Sequence, residues 1–422
     1  MSEQRKKISR KEKRYLRKLK RNTRIRDFIN TVTLAPYSDV PLNLAIFGLM
    51  LFGTAMIAST AVGQTTDSLR TVLFALVKQF AFLGAAYLTF LYADKGFSLR
   101  WFYRIQIVIF LIFIGAMITP FAFPAVGGSH AWIRIGSVTL QPSEFGKPLL
   151  IIICACAVYS AKRNREQRKS FFAFFRWPLI AWLVTMILLA AQKDYGTAAI
   201  TSGIVYVCMM LPSYPTLRKV QKRVTVLLAA GAIALVGLFG VTDIGTDLLA
   251  QTPLAHIATR IVNAKNPYSD IYGTGYQPAN SLYGIADSHV IGKGFGNSSR
   301  KYGYLTQADN DYILAVTIEE TGILGFAFII FLYGVIEYRL IYYALRTQDT
   351  VKKMILIGTG TYLFLHFALN VGGVGALIPM TGIPLLFISS GGSSLLAVSF
   401  ALGLCQQMIS KIREKEMKGV RL

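Results

Sequence analysis

Asp311 is the residue whose setting points most directly to chemistry. It closes a polar stretch, Asp309-Asn310-Asp311, and apolar sequence begins at once with Tyr312, Ile313 and Leu314. An Asp or Asn just before an apolar run is a helix-start signal, because its side chain can accept orphan backbone N–H groups. That reading makes Asp311 an N-cap. The alternative is a carboxylate held at a membrane surface, partly out of water, where its pKa rises and it can act as a base.

Four further clusters carry chemistry-bearing types. In Gly128–Lys147, Trp132 and Arg134 precede Gln141-Pro142-Ser143-Glu144, with Lys147 entering an apolar run. Glu144 and Lys147 are three apart and can pair on one helix face. The pair either steadies a helix start or faces a cavity, since ions entering a bilayer are costly. Lys193-Asp194 sits between two apolar runs that nearly touch. Asp194 suits a turn or an N-cap, and Lys193 suits a phosphate contact or a snorkelling cation. Farther on, Gln277 lies in Tyr276–Ser281, and Lys293 lies in Gly292-Lys293-Gly294-Phe295-Gly296. Glycines around a Lys can cradle phosphate through backbone N–H groups, although the nucleotide-fingerprint spacing is absent. A diphosphate on a lipid is the ligand compatible with that run. Lastly, Asn370–Gly373, Pro379–Pro384 and Ser389–Ser394, including Ser393, concentrate Gly, Pro and Ser. At membrane depth such backbone either lines a cavity or permits close helix packing.

Other chemistries find no support. The four histidines lack ligand spacing, and no HExxH, Ser-His-Asp or CxxC pattern occurs. Cys154, Cys156, Cys208 and Cys405 all fall inside apolar runs and read as small buried hydrophobes.

The elements that must position these residues are transmembrane helices. The 422-residue chain is 53% hydrophobic and only 16% charged, which marks a polytopic membrane protein. Ten apolar segments lie near 43–63, 70–93, 104–124, 144–161, 177–192, 196–211, 224–242, 312–345, 353–376 and 387–409. The net charge of +24 is spread over short clusters between these runs, as in cytoplasmic loops, and excludes a nucleic-acid role. Alternating ten spans from an inside N-terminus puts all six basic clusters inside. It leaves a large extracytoplasmic loop, 243–311, between helices 7 and 8. Long loops of this kind tend to be functional. The expected organisation is a basic cytoplasmic tail over 1–41 able to lie on anionic lipid, a membrane domain over 42–410, and a basic cytoplasmic tail over 411–422. The expected fold class is all-α.

On ten spans, in this order, these clusters resemble the SEDS (shape, elongation, division and sporulation) family over about residues 43–410. The matching residues are Trp132-Ile133, Gln141-Pro142-Ser143-Glu144 with Lys147, Asp194–Ala198, Gly292-Lys293-Gly294, Asp311-Tyr312 with Glu319–Gly322, Pro379–Pro384, and Gly391–Ser394. The chain departs where Lys193 replaces a usual proline and where Asp309 replaces a usual histidine. The resemblance implies a peptidoglycan glycosyltransferase that polymerises lipid II at the outer face of a bacterial cytoplasmic (inner) membrane. Its implied partners are a class B penicillin-binding protein and other division or elongation proteins. The long basic N-terminus and Pro379–Pro384 lean toward the division branch. Within that reading Asp311 is the base. Lys147, Arg134, Lys193 and Lys293 meet leaving-group charge, and Glu144 orients Lys147. Trp132, Asp194, Gln277 and Ser393 complete the substrate-binding set. The resemblance assigns no definite cofactor and the sequence shows no metal cage, although a divalent cation (Mg or Mn) could share the charge. A lipid II flippase and a noncatalytic division scaffold are the rival functions.

Overall fold

Hydrocarbon offers backbone N–H and C=O groups no partners, so apolar runs of membrane length fold as helices. The computed structural model describes residues 33–63, 68–126, 128–136, 138–252 and 255–419. The basic segment 1–41 therefore lies largely outside the described residues. All ten apolar runs appear as helices: α1 Val40–Val62, α2 Ser68–Leu91, α3 Leu99–Ile118, α4 Ser143–Ala161, α5 Phe171–Gln192, α6 Tyr195–Met210 and α7 Pro215–Leu235, then α11 Ile313–Arg346, α12 Thr350–Val374 and α13 Gly392–Met417. Among the described residues nine helices are long and apolar enough to cross a membrane, and α6 is apolar but shorter, at 16 residues. Between α7 and α11 run three short helices, α8 Ile244–Ala250, α9 Ala255–Lys265 and α10 Tyr276–Ala286. A small antiparallel hairpin, β1 Ile133–Ile135 and β2 Val138–Leu140, is the only sheet among the described residues.

Several helix ends differ from the apolar boundaries. α7 starts at Pro215 rather than near 224, because proline suits the first helical position and charged turns stay helical outside the apolar band. α13 starts at Gly392 rather than near 387, because the preceding backbone is turned and Phe387 takes a left-handed φ of 68°.

The basic clusters meet at one end of the bundle. There Lys162 bridges to Asp349 at 2.6 Å, Arg346 to Glu416 at 3.1 Å, and Arg413 donates to the Tyr37 carbonyl. The hairpin and the turn at Lys193-Asp194 occupy the opposite end, where Ser129 and His130 both donate to the Gln192 carbonyl.

α1 and α11 run antiparallel and are clamped at both ends. At the basic end Asp39 caps α1 through the Leu42 N–H and takes Arg339 and the Tyr343 hydroxyl at 2.9 Å. At the other end Glu320 accepts from Ser59 at 2.6 Å and pairs with Lys301 at 2.9 Å, both charged side chains having no exposure. Glu320 and Arg339 are separated along α11 by roughly 28 Å at 1.5 Å per residue. That is close to the ~30 Å thickness of bilayer hydrocarbon.

The sealed clamp carries the larger cost if broken. Glu320→Ala leaves Lys301 buried and unpaired, and is expected to cost about 3–5 kcal/mol. Arg339→Ala, at the clamp whose cation keeps partial contact with solvent, should cost less. Replacing Lys301 and Glu320 together with methionine should recover most of the loss. Melting curves in detergent rank the three variants, and equal Tm values would refute the clamp.

Candidate functional site

α11 begins at Ile313, and the residue ahead of it, Tyr312, makes no side-chain cap. Asp311 is thus not spent on helix capping, and the N-cap expectation is replaced. Its Oδ1 is sealed from solvent without a hydrogen-bond partner, although the residue as a whole is half-buried. Burial pushes this carboxyl up to about 6; Arg260 opposes the rise and Asp309 adds to it. The group titrates where a general base is useful near neutral pH.

Asp311 opens onto a cavity of about 330 Å³ lined by Arg260, Tyr276, Gln277, Met380 and Gly382 among others. Each element contributes for a local reason. α9 presents Arg260, whose guanidinium donates to the Met380 carbonyl at 3.1 Å. α10 presents Gln277, whose amide donates to the Thr306 hydroxyl. The stretch after α12 forms the wall, with Gly382 at φ 71° so close that an added Cβ would stand 3.5 Å from Asp311 Oδ2.

The turn carrying the carboxylate is tied down by its backbone. The Asn370 amide donates to the Asp311 carbonyl at 3.1 Å and to the Ile383 carbonyl at 2.8 Å. Ser389 donates to the Asn310 carbonyl at 2.9 Å. The Ser390 N–H and hydroxyl reach the Asp309 carbonyl and carboxylate at 3.0 and 3.1 Å. The Gly/Pro/Ser-rich stretch therefore both lines the cavity and packs closely: a Cβ on Gly53 would stand 2.2 Å from the Phe387 carbonyl oxygen.

Of the ten candidate residues, Asp311 and Gln277 line this cavity. Glu144 and Lys147 pair at 2.7 Å but are buried in the bundle, with Lys147 also 2.8 Å from His366. Asp194 is the N-cap of α6, accepting from the Thr197 N–H at 3.1 Å and from Gln141 at 2.8 Å. Ser393 accepts from the Gln141 N–H at 3.0 Å and joins α13 to the hairpin. Trp132 is half-buried beside β1, while Arg134 and Lys193 are exposed at the cavity end of the bundle.

Lys293 requires a correction. It pairs with Glu319 at 2.8 Å and Asp287 at 3.3 Å, and the Glu319 hydrogen bond holds its ammonium above the ordinary lysine value. The glycines around it do not form a free phosphate cradle. The N–H groups of Gly292, Lys293 and Gly294 already donate to the carbonyls of Ser288, Glu319 and Glu320, and that of Gly296 donates to the Glu320 carboxylate. This run is a clasp closed on α11, where Gly322 breaks the helix at φ 69°, ψ −167°.

Sequence reasoning missed Arg260 and His366. Arg260 is brought to Met380 across 120 positions, a contact that no local pattern announces. His366 lacked ligand spacing, but it shares an α12 stripe with Tyr362 and Asn370 at intervals of four.

The family model described as "Cell cycle protein", FTSW_RODA_SPOVE, matches residues 41–414. A Bacillus subtilis protein named "Probable peptidoglycan glycosyltransferase FtsW" is 31% identical over 384 residues, 90% of this chain and 92% of the relative. "Stage V sporulation protein E" of the same organism is 29% identical and covers 77% of this chain and 83% of the relative. Among solved structures, one described as "Structural coordination of polymerization and crosslinking by a peptidoglycan synthase complex" aligns with TM-score 0.68 at 21% identity, covering 89% of this chain and 98% of that one. The Thermus thermophilus rod shape determining protein RodA aligns with TM-score 0.57 at 21% identity, covering 89% and 97%. These two likenesses show the fold.

The clasp predicts a glycine requirement at position 322. An added Cβ would stand 2.2 Å from the Val290 carbonyl oxygen. Gly322→Ala should lower stability by about 1–3 kcal/mol from backbone strain alone, with the clash in addition. Gly231→Ala, where a Cβ meets nothing, should melt like the wild type in the same detergent assay.

Proposed function

The chain belongs to the FtsW/RodA/SpoVE family of cell cycle proteins, and from that membership and the Asp311 cavity we propose how it acts. It is a multi-pass membrane protein and a peptidoglycan glycosyltransferase of cell wall synthesis. The proposed donor is lipid II, a disaccharide-pentapeptide on undecaprenyl diphosphate. The proposed location is the bacterial cytoplasmic membrane, with both termini cytoplasmic and residues 243–311 outside. The gathering of the basic clusters at the end away from Asp311 supports that orientation.

The observation that carries the mechanism is the unpartnered Asp311 carboxylate on the wall of a cavity that also holds Arg260. In the proposed reaction Asp311 takes the proton from the acceptor sugar hydroxyl. The hydroxyl oxygen bonds to the anomeric carbon of the donor, and the bond from that carbon to the diphosphate oxygen breaks. The diphosphate leaves with the bonding pair, and Arg260 is placed to meet its charge. Gln277 offers an amide to sugar hydroxyls, and Arg134 and Lys193 add positive charge around the entrance.

A divalent ion held by protein ligands alone does not fit, since the described residues contain no group of three His, Cys, Asp or Glu. Asp311 Oδ1 is sealed from solvent, so the one unpartnered buried oxygen on that turn offers no open position to an ion shared with substrate phosphates either.

A transpeptidase partner, a class B penicillin-binding protein, is proposed together with other division or elongation proteins. The description of the solved relative, which couples polymerization and crosslinking in one complex, supports this pairing.

Purified protein supplied with labelled lipid II tests the reading. Asp311→Asn should slow polymer formation by roughly 10²–10⁴-fold, the value of a positioned base. The wild-type rate should be present above pH about 6 and fall as pH drops through it, because the base must be ionised. Arg260→Ala should slow the reaction and move that fall to higher pH, since the cation holds the Asp311 value down. Full activity in Asp311→Asn, or transbilayer movement of lipid II without polymer, would contradict the assignment.

A further inference from the structure

Glu144, Lys147 and His366 are an anion, a cation and a titratable ring buried together with no exposure to the cavity. Their fractional exposures are 2%, 1% and 0%, and none lines the cavity wall. Intramembrane ionisable groups are costly, and a group of three calls for a role. The mechanism above leaves all three unused.

Their geometry is directional. Lys147 Nζ lies 2.7 Å from Glu144 Oε1 and 2.8 Å from His366 Nε2, and 5.5 Å from the centre of the Tyr362 ring. An ammonium has donors and no lone pair, so His366 Nε2 must be the acceptor. The ring proton therefore sits on Nδ1, which faces the Pro384 carbonyl at 3.3 Å. Four residues farther along α12, Asn370 donates to the Ile383 and Asp311 carbonyls. Arg260 holds the Met380 carbonyl from the other side. The wall segment 380–384 thus hangs on three side-chain donors, and it is the segment that lies against Asp311, where a Cβ on Gly382 would stand 3.5 Å from Oδ2.

We propose that His366 is a positioning residue: the Glu144–Lys147 pair fixes its tautomer, and its Nδ1–H pins the Pro384 carbonyl so that the wall 380–384 stays closed over Asp311. Glu144 and Lys147 then act on the reaction through the wall and not by touching the diphosphate. The inference rests on the reading of Asp311 as base. The groups facing Asp311 are Arg260 on α9, Tyr276 on α10, and Asp309 and Tyr312 on its own turn; α12 and the wall bring no charge. Loosening the wall exposes more of the carboxyl to water. The acid-side fall in activity then moves from pH about 6 toward the ordinary aspartate value of about 4.

Two substitutions separate the two ends of the ring. His366→Asn places an amide near the Nδ1 position and keeps a donor for Pro384 while giving up Lys147. His366→Gln places its amide near Nε2 and keeps an acceptor for Lys147 while giving up the Pro384 donor. Polymerisation of labelled lipid II is measured for both across pH 4–8, per mole of protein that remains monodisperse in detergent. The expected result for His366→Gln is a kcat lower by on the order of 10- to 100-fold, an unchanged KM, and an acid limb displaced downward by half a unit or more. His366→Asn is expected to recover at least half of that lost rate on a logarithmic scale, with its limb near the wild-type position. Identical acid limbs in wild type and both variants, or a raised KM at unchanged kcat, would overturn the positioning role. A wild type without any acid limb near pH 6 would instead overturn the base assignment on which it rests.

Discussion

Non-helical backbone at the depth of a membrane must find a partner for each N–H and C=O, and the cavity end of this protein is organised by that requirement. The turn 309–311 leaves the helical pattern just before α11, and the stretch 376–391 leaves it between α12 and α13. Each satisfies the other. Ser389 and Ser390 donate from one stretch to the other, and Asn370 joins both from α12. The partners are supplied by side chains and backbone of neighbouring elements, which tie the irregular segments to the bundle. The one buried side-chain polar atom left without a partner on that turn is Asp311 Oδ1.

A second set of buried charges keeps that end in register with the rest of the bundle. Glu319 and Glu320 sit near the start of α11 and together receive Lys293, Lys301, three serine hydroxyls and several N–H groups of residues 296–300. An unpaired carboxylate there would be costly, so the clasp and the start of α11 stabilise each other. Closing it brings the segment before Asp311 back onto α1 through Ser59. Packing, ion pairing and the geometry of the cavity are therefore coupled along one path, from the 292–301 clasp through α11 to the carboxylate.

The parts of this arrangement visible in the sequence are those set by near neighbours. The ten apolar runs predicted the helices because membrane helices need only their own length and hydropathy. Glu144 and Lys147 predicted a pair because three residues place them on one face. Asp311 left two readings open, and only the position of α11 relative to Gly382 and Asn370 separates them. Lys293 looked like a phosphate ligand because a clasp and a cradle share the same glycines. The difference lies in Glu319, 26 positions away, which already holds the ammonium. Arg260 was illegible for the same reason, since its place beside Met380 depends on how α9 folds back over the wall.

The central claim is that the Asp311 cavity receives the lipid-linked donor from the outer face of the membrane. The most direct measurement is thiol labelling of Gln277→Cys in intact spheroplasts, where the four native cysteines are buried and silent. A membrane-impermeant maleimide added outside should label position 277, and added lipid II should slow that labelling. Labelling only after the membrane is broken, or labelling at the same rate with and without lipid II, would contradict the account.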